Sequence, residues 1–372
     1  MAHAAISKKV EASNIFNCSD LQPFIDSVQT IMRYSGQSGS RFFMCEYEGY
    51  KFLTKFCIYK KHYIELSGIK QSGTVQPTDA EIRILKIFKE KFIETNITPC
   101  IIELIYDKVC EKMIKLYPSY SRCEELIISD VQTPRDEIEQ TVCNYVDLIN
   151  NDLAFDKCAF LVLEKCDITF AEYINKSINT PVSLAVFKSL LFQIIYTIYA
   201  ISIVYPEFRH GDFHADNIVL MFDPMYKFKF TNPKCLIYHI DDNVYSVPYF
   251  GIIPKIIDFE RSTLPEEGIN NVFMEDKWAK YYTIKNDLLV LYGSIYEIVV
   301  HAGTDKFGRV DKILSSLDPD RMHTHTHPEY IRTHEREIPT YKQMATNKIF
   351  DEYKQFKAPI SQIYKEFTPV ST

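Results

Sequence analysis

The apolar stretch from about Ser183 to Val204 constrains the fold more than any other feature, because a helix that is apolar on every side must be enclosed, either by lipid or by protein. Gln193, Thr197 and Ser202 interrupt its core from Leu190 to Tyr205, and Lys188 precedes it. Fewer than about 18 clean apolar residues remain, so the stretch reads as a buried helix and no transmembrane segment is expected. Enclosing such a helix takes a large core. A chain of 372 residues with 46% hydrophobic and 24% charged content can supply one, and that balance excludes disorder, collagen and coiled coil.

Charge and cysteine usage narrow the class. Lys+Arg 42 against Asp+Glu 49 leaves a net charge of -7, too mild to drive binding to nucleic acid or anionic membranes. The 25 Tyr and 25 Phe lack interleaved Arg and Lys, which favours core packing over base stacking, so no nucleic-acid partner is expected. Ten cysteines stand singly from Cys18 to Cys235 with no CxxC pair, which predicts neither a zinc knuckle nor a dense disulfide framework and favours a reducing compartment. Lys8 and Lys9 lead into the polar residues Glu11 to Asn14, so no secretory signal is expected, and a cytoplasmic location is the expectation. His323, His325 and His327 would share one face of an extended segment, as a metal site might arrange them. Surface clusters of this kind are commoner, and they are left out of the candidate site.

Along the chain, residues 1–28 read as a polar extension entering a helix around Leu21 to Met32. Aromatic and β-branched residues from Phe42 to Ile58, with a turn at Glu48-Gly49, predict a hairpin. Pro77-Thr78-Asp79 opens a helix whose apolar positions are Ile82, Leu85, Phe88 and Phe92, and it should end before Asn96. Cys100 to Tyr106 and Ala159 to Glu164 are strand-like, and the polar, partly helical residues 107–158 between them read as an insert. After Asp167 the pattern turns helical. The expected architecture is α+β and bilobal, with an N-terminal sheet carrying one main helix and a mainly helical C-terminal half.

The strongest chemical signal is His210-Gly211-Asp212-Phe213-His214-Ala215-Asp216-Asn217, followed by Ile256-Ile257-Asp258-Phe259-Glu260. Any one of these acidic turns is common in loops. Together, two carboxylates and an amide beside short strands are what phosphoryl transfer needs: Asp212 to orient a hydroxyl and accept its proton, Asn217 and Asp258 as hard oxygen ligands for a divalent cation.

On these residues the chain resembles the protein-kinase-like superfamily. Tyr34-Ser35-Gly36-Gln37-Ser38-Gly39-Ser40 stands where the family's glycine-rich phosphate loop lies, with Tyr34 at the place of its first glycine. Phe52-Leu53-Thr54-Lys55 looks like the strand whose lysine grips the α and β phosphates, and Glu81 is placed to hold that lysine. Without the resemblance Glu81 would be an ordinary solvated acid in a first helical turn. Leu161 to Cys166 looks like the inter-lobe hinge, with Leu163 as gatekeeper and Glu164 to Cys166 offering backbone to an adenine edge; Asp287 is similar to the family aspartate that props the catalytic loop. The resemblance covers about residues 30 to 300 in collinear order. It divides the chain into an extension at 1–28, an N-lobe at 29–164 and a C-lobe at 165–372, the last with an insert at about 221–253 and a helical tail.

The departures bear on substrate. His214 stands where most protein serine/threonine kinases carry a lysine, a feature shared with aminoglycoside and choline kinases, whose substrates are small alcohols. Gly211 replaces the arginine that pairs with a phosphorylated activation segment, so phosphate on Ser262, Thr263 or Thr283 is not expected to be needed for activity. Glu260 replaces the glycine after Asp258-Phe259, and no Ala-Pro-Glu motif precedes Asp287. The inserts and short activation segment are similar to those of the divergent serine/threonine kinases of large cytoplasmic DNA viruses, of the poxvirus morphogenesis kinase type. A viral source would place the protein in host cytoplasm or virion.

The resemblance implies an ATP-dependent kinase acting on Ser or Thr hydroxyls of protein substrates, with Mg²⁺, or Mn²⁺ in its place, as metal. Asp212, Lys55 and His214 would be catalytic, Gly36, Gly39, Lys55, Glu81, Glu164 and Cys166 would bind nucleotide, and Asn217 and Asp258 would hold the metal. A small-molecule kinase is the alternative. A pseudokinase scaffold is disfavoured because the whole chemical set is present.

Overall fold

The structure, a computed structural model, describes residues 9–11, 13–32, 41–61, 74–116, 120–128, 133–177, 181–223, 225–226, 234–271, 286–301, 308–320 and 338–367. The chain forms two compact units. Met1–Ile82 with Glu103–Lys165 make the first, and Arg83–Ile102 with Cys166–Thr372 the second. The first is built on a sheet and the second is mainly helical, so the bilobal α+β expectation holds.

The first unit is a five-stranded antiparallel sheet. Its strands are β1 (Val28–Met32), β2 (Arg41–Tyr47), β3 (Tyr50–Lys60), β4 (Leu104–Glu111) and β5 (Ala154–Glu164), in the spatial order β1-β2-β3-β5-β4. The expected hairpin is present: Tyr47 pairs with Tyr50, and Glu48 and Gly49 between them both take positive φ, 48° and 79°. That mirror-image turn matches the twist of the strands it joins, and glycine occupies its second place without strain. Central β3 is buried continuously from Phe52 to Tyr59, as its apolar run requires.

Residues 1–28 are not merely a polar extension. The helix expected at Leu21 to Met32 stops early as α1 (Gln22–Ser27), and the β-branched residues that follow become β1, paired Val28↔Cys45 through Met32↔Phe42. Phe16 and Phe24 are buried against Phe160, with ring centroids 5.1 and 5.2 Å away, and Phe24 meets Phe43 edge-on at 5.6 Å. Among the described residues of this segment, Val10, Ile15, Phe16, Leu21 and Phe24 complete the core, while Glu11, Asn14, Ser19, Asp20 and Asp26 are exposed.

The expected insert at 107–158 is narrower. Both of its ends belong to the sheet, where Asp107 pairs with Leu161 and Glu111 with Lys157. The excursion itself carries α2 and α3 of the chain's inserted helices (Tyr120–Ile128 and Pro134–Asn150). Arg122 holds these two together by bonding Asp136 at 2.5 Å and Glu139 at 2.7 Å, and Thr133 with Asp136 forms a capping box at the start of α3. Disulfides Cys123–Cys143 and Cys18–Cys110 tie the helix pair together and the N-terminal segment to β4. This departs from the expectation of reduced thiols; cysteines distant in sequence give no pairing signal.

In the second unit α4 (Pro181–Val204) is the enclosed helix that the apolar run demands. Among the described residues only Ser183–Val204 is long and apolar enough to cross a membrane, and most of it is buried inside the protein. Its polar residues are satisfied internally. Thr197 Oγ1 lies 2.6 Å from Thr98 Oγ1 and donates to the Gln193 carbonyl at 2.8 Å, and Ser189 donates to the Pro248 carbonyl at 2.8 Å.

The short strand β6 (Ile168–Thr169) precedes α4, and β7 (Ile218–Phe222), β8 (Cys235–Ile240), β9 (Asn243–Pro248) and β10 (Ile252–Ile256) follow it. β10-β7-β6 form one antiparallel sheet, and the 221–253 segment contains the hairpin β8–β9. The tail is not wholly helical: it ends in β11 (Ile363–Phe367), which pairs parallel with β8. The histidines at 323, 325 and 327 lie outside the described residues.

Phe16→Ala is expected to destabilise the first unit by about 3 kcal/mol, the cost of removing a large buried ring. Urea denaturation followed by tryptophan-independent far-UV signal checks this; a dispensable extension would leave the transition unmoved.

Candidate functional site

Each unit carries its own part of the candidate machinery. In the first, β3 places Lys55 between Phe42 of β2 and Leu161 of β5. Its side chain is 0% exposed, and Nζ donates to Glu81 Oε2 at 2.8 Å, Glu81 being 1% exposed. Glu81 lies on the helix Pro77–Phe88 and is buried, so it is not the solvated acid that its sequence context alone suggests. Lys55 Nζ also stands 5.5 Å from the centroid of the Phe42 ring.

The end of β5 carries Leu163 and Glu164, paired with Leu53 and Phe52. Glu164 exchanges two bonds with Glu103: its N–H donates to the Glu103 carbonyl at 3.0 Å, and its Oε1 accepts the Glu103 N–H at 2.8 Å. The Glu164 side chain thus serves the sheet edge. Cys166 is fully buried in the second unit. Gly36 and Gly39, between β1 and β2 in the chain, lie outside the described residues.

In the second unit the loop after α4 is fixed by bonds to the helix Asn286–His301. Asp287 Oδ2 accepts the His210 N–H at 2.8 Å and Oδ1 the Gly211 N–H at 3.2 Å, while Ser294 Oγ accepts the Ala215 N–H at 3.0 Å. Gly211 sits at φ +76°, and a Cβ there would stand 2.6 Å from the carbonyl oxygen of Arg261. Only glycine meets both demands. The approach is laced by four more bonds: Arg209 and Thr263 exchange N–H···O bonds at 3.1 and 2.9 Å, Ser262 Oγ donates to the His210 carbonyl at 2.9 Å, and His210 Nε2 lies 2.9 Å from the Ile257 carbonyl.

The pairing of β7 with β10 brings Asn217 and Asp258 together. Ile218 is opposite Ile256, and the Ile257 N–H donates to the Asn217 carbonyl at 3.0 Å. Asn217 Nδ2 donates to the Asp212 carbonyl at 2.8 Å, which commits the amide nitrogen and leaves its oxygen as the atom on offer. Asp258 adopts a left-handed conformation, φ 66° and ψ 62°, a cost that non-glycine residues bear at functional sites. A carboxylate and an amide oxygen are hard ligands of the kind a divalent cation takes.

His214 caps the turn Ala215–Asn217 by accepting the Asp216 N–H at its Nδ1, 3.3 Å away. With Nδ1 an acceptor, Nε2 carries the proton, and it stands 3.8 Å from Asp212 Oδ1. The other carboxylate oxygen of Asp212, Oδ2, is 3.8 Å from Nε of Arg261. Arg261 was not among the expected site residues; an arginine three places after Asp258 has no motif of its own. Ser262 and Thr263 are 0% and 1% exposed, so a kinase could reach neither without opening the fold.

Burial pushes His210 down to about 4, and burial pushes the Asp287 carboxyl up to about 6. As pH falls below the ordinary histidine range, the unfolded chain takes up a proton that folded His210 refuses, and stability is lost down to about pH 4. Asp287 works oppositely: below about pH 6 the folded form protonates first and gains stability. The two slopes offset one another between about pH 4 and 6 in the native protein. Asp287→Asn is therefore expected to lose stability more steeply than wild type on going from pH 7.5 to about 5, each compared with its own value at pH 7.5. Urea midpoints at both pH values measure it, and parallel slopes would refute the assignment.

Comparison with known proteins gives two viral relatives. R301 of Acanthamoeba polyphaga mimivirus, provisionally named a serine/threonine-protein kinase, is 27% identical over 271 residues, 65% of this chain and 66% of that protein. R400 of the same virus, named in the same way, is 28% identical over 251 residues, 66% of this chain and 49% of that protein. The matched region spans under two thirds of either relative. No family model matches. A crystal structure of a kinase domain aligns with 73% of this chain and 63% of its own at 13% identity and a TM-score of 0.39, a likeness on which no argument rests. The chain is a distant homologue, at low identity, of viral proteins named as serine/threonine kinases, and its two-unit α+β architecture is consistent with a kinase-like fold.

Proposed function

We propose that the protein is an ATP-dependent protein kinase that phosphorylates serine or threonine hydroxyls. The observation that carries the reading is the buried Lys55–Glu81 pair. A buried ion pair is a poor stabilising device, since desolvation of both charges consumes most of the attraction. It does keep an ammonium aimed and charged, which is what gripping the α and β phosphates of ATP requires.

Asp212 then orients the acceptor hydroxyl and takes its proton as the new O–P bond forms and the bond from the γ-phosphorus to the β-phosphate oxygen breaks, the leaving electrons going to ADP. Asn217 and Asp258 would hold Mg²⁺, or Mn²⁺ in its place, which would supply charge neutralisation of the phosphates. His214, with Nε2–H directed to the Asp212 side, donates one hydrogen bond to the γ-phosphate or the acceptor hydroxyl. Backbone of Glu164 and Cys166 binds the adenine edge, and Gly36 and Gly39 admit the phosphates close to the backbone.

A second reading, a small-alcohol kinase, is favoured by His214 in the position where protein kinases carry lysine. Transfer of γ-labelled phosphate with Mg²⁺, comparing wild type with Asp258→Asn on casein, a basic protein and a panel of amino alcohols, separates the two. Label on Ser or Thr that disappears in the variant supports the protein-kinase reading, and label on the alcohols alone replaces it. The viral relatives favour host cytoplasm or virion as the site of action, whereas the two disulfides favour oxidising surroundings; fractionation of the producing cells decides between them.

Asp212→Ala should lower kcat by at least about 10²-fold while the Kd for ATP stays near that of wild type. Single-turnover kinetics beside equilibrium nucleotide titration measure the two quantities separately. Undiminished turnover would remove Asp212 from the mechanism.

A further inference from the structure

Between His210 and Asn217 the loop bearing Asp212 contains no lysine or arginine, so it carries no permanent positive charge of its own. Phosphoryl transfer concentrates negative charge beside the residue that handles the acceptor proton, and that residue must keep its orientation as the charge develops. Among the described residues, two basic side chains come within 4.0 Å of the Asp212 carboxylate: His214 Nε2 at 3.8 Å from Oδ1, and Arg261 Nε at 3.8 Å from Oδ2. Of these only Arg261 is charged at every working pH.

We infer that Arg261 is the positioning residue of Asp212, supplying from the segment after Asp258 the cation that the loop itself lacks. The inference rests on the kinase reading above and deepens it. Arg261 closes the short turn Phe259–Arg261, and the Ser262 N–H returns to the Phe259 carbonyl at 3.0 Å. The paired N–H···O bonds between Arg209 and Thr263 and the bond from Ser262 Oγ to the His210 carbonyl hold this turn against the loop on the far side of Arg261. Gly211 completes the fit, because its missing side chain leaves room for the Arg261 carbonyl, which a Cβ would meet at 2.6 Å. The guanidinium is therefore delivered by a backbone anchored on both sides.

Its electrostatic engagement of Oδ2 restrains rotation of the carboxylate and leaves Oδ1, on the His214 side, to take the hydroxyl proton. At 38% side-chain exposure the Arg261 contact contributes little to stability, so function and folding can be separated experimentally.

The test is steady-state kinetics of Arg261→Ala and Arg261→Lys with Mg²⁺-ATP and the acceptor labelled in the transfer assay, beside a thermal denaturation of each variant. Arg261→Ala is expected to lower kcat by about 10- to 100-fold, the size of effect that misplacement of a reacting group produces, with KM for ATP and the melting temperature unchanged. Arg261→Lys, which keeps the charge without the planar fork, should recover part of that loss. Wild-type kcat in Arg261→Ala overturns the inference, as does a loss that matches the fraction unfolded and is not relieved in Arg261→Lys. Wild type that transfers no phosphate to any acceptor would remove the kinase reading and this inference together, whereas active wild type matched by Arg261→Ala removes the inference alone.

Discussion

The backbone geometry of the loop that carries Asp212 depends on one buried carboxylate. Asp287 is 6% exposed and spends both oxygens on backbone N–H groups, those of His210 and Gly211. Those two bonds set the left-handed turn at Gly211, and the rest follows in sequence: the Asp212 carbonyl meets Asn217, Asn217 meets Ile257, and Asp258 lies one residue further on. The bonds do not fully repay the burial, since the carboxyl is left with a pKa raised to about 6. The carboxylate makes sense as a device that fixes loop geometry at some cost to stability.

Several elements of this fold were legible in the sequence because their signals are local. Glu48-Gly49 between aromatic runs is a turn whose dihedrals only a few residues tolerate, and the hairpin forms there. The apolar run before Val204 is enclosed by protein, as its polar interruptions implied, with Thr197 bonded to Thr98 inside the protein. Other features depended on partners far along the chain. Nothing near Phe16 announces that Phe160 will cover it, and the turn polarity around Asn14 to Asp20 hid a buried aromatic cluster. The same holds for Cys18 with Cys110, 92 residues apart, and for the tail strand Ile363–Phe367, whose alternation is interrupted by charge and which forms by joining β8.

Within the candidate site the same division holds. Lys55 and Glu81 are 26 residues apart, and elementary helix rules alone would have left Glu81 in solvent; the resemblance to a family supplied the pairing that the 2.8 Å contact then displays. Arg261 had neither a local signal nor a family position to point to it. Its relevance exists only through the close approach of two backbone segments, a property of the folded chain that no spacing rule encodes.

Gly211 and Arg261 are best understood as one feature. A side chain at 211 would bring a Cβ to 2.6 Å from the Arg261 carbonyl, so the loop cannot both carry a cation at that position and admit this turn. Removing the side chain forfeits a charge on the loop and leaves room for the Arg261 carbonyl, on the segment whose guanidinium lies 3.8 Å from Asp212 Oδ2. The two substitutions would be incompatible if taken singly: an arginine at 211 would drive the 259–263 segment away, and glycine at 211 without Arg261 would leave Asp212 with a histidine as its sole basic neighbour among the described residues. Ser262 and Thr263 are buried in the same arrangement, Ser262 Oγ donating to the His210 carbonyl and Thr263 exchanging backbone bonds with Arg209.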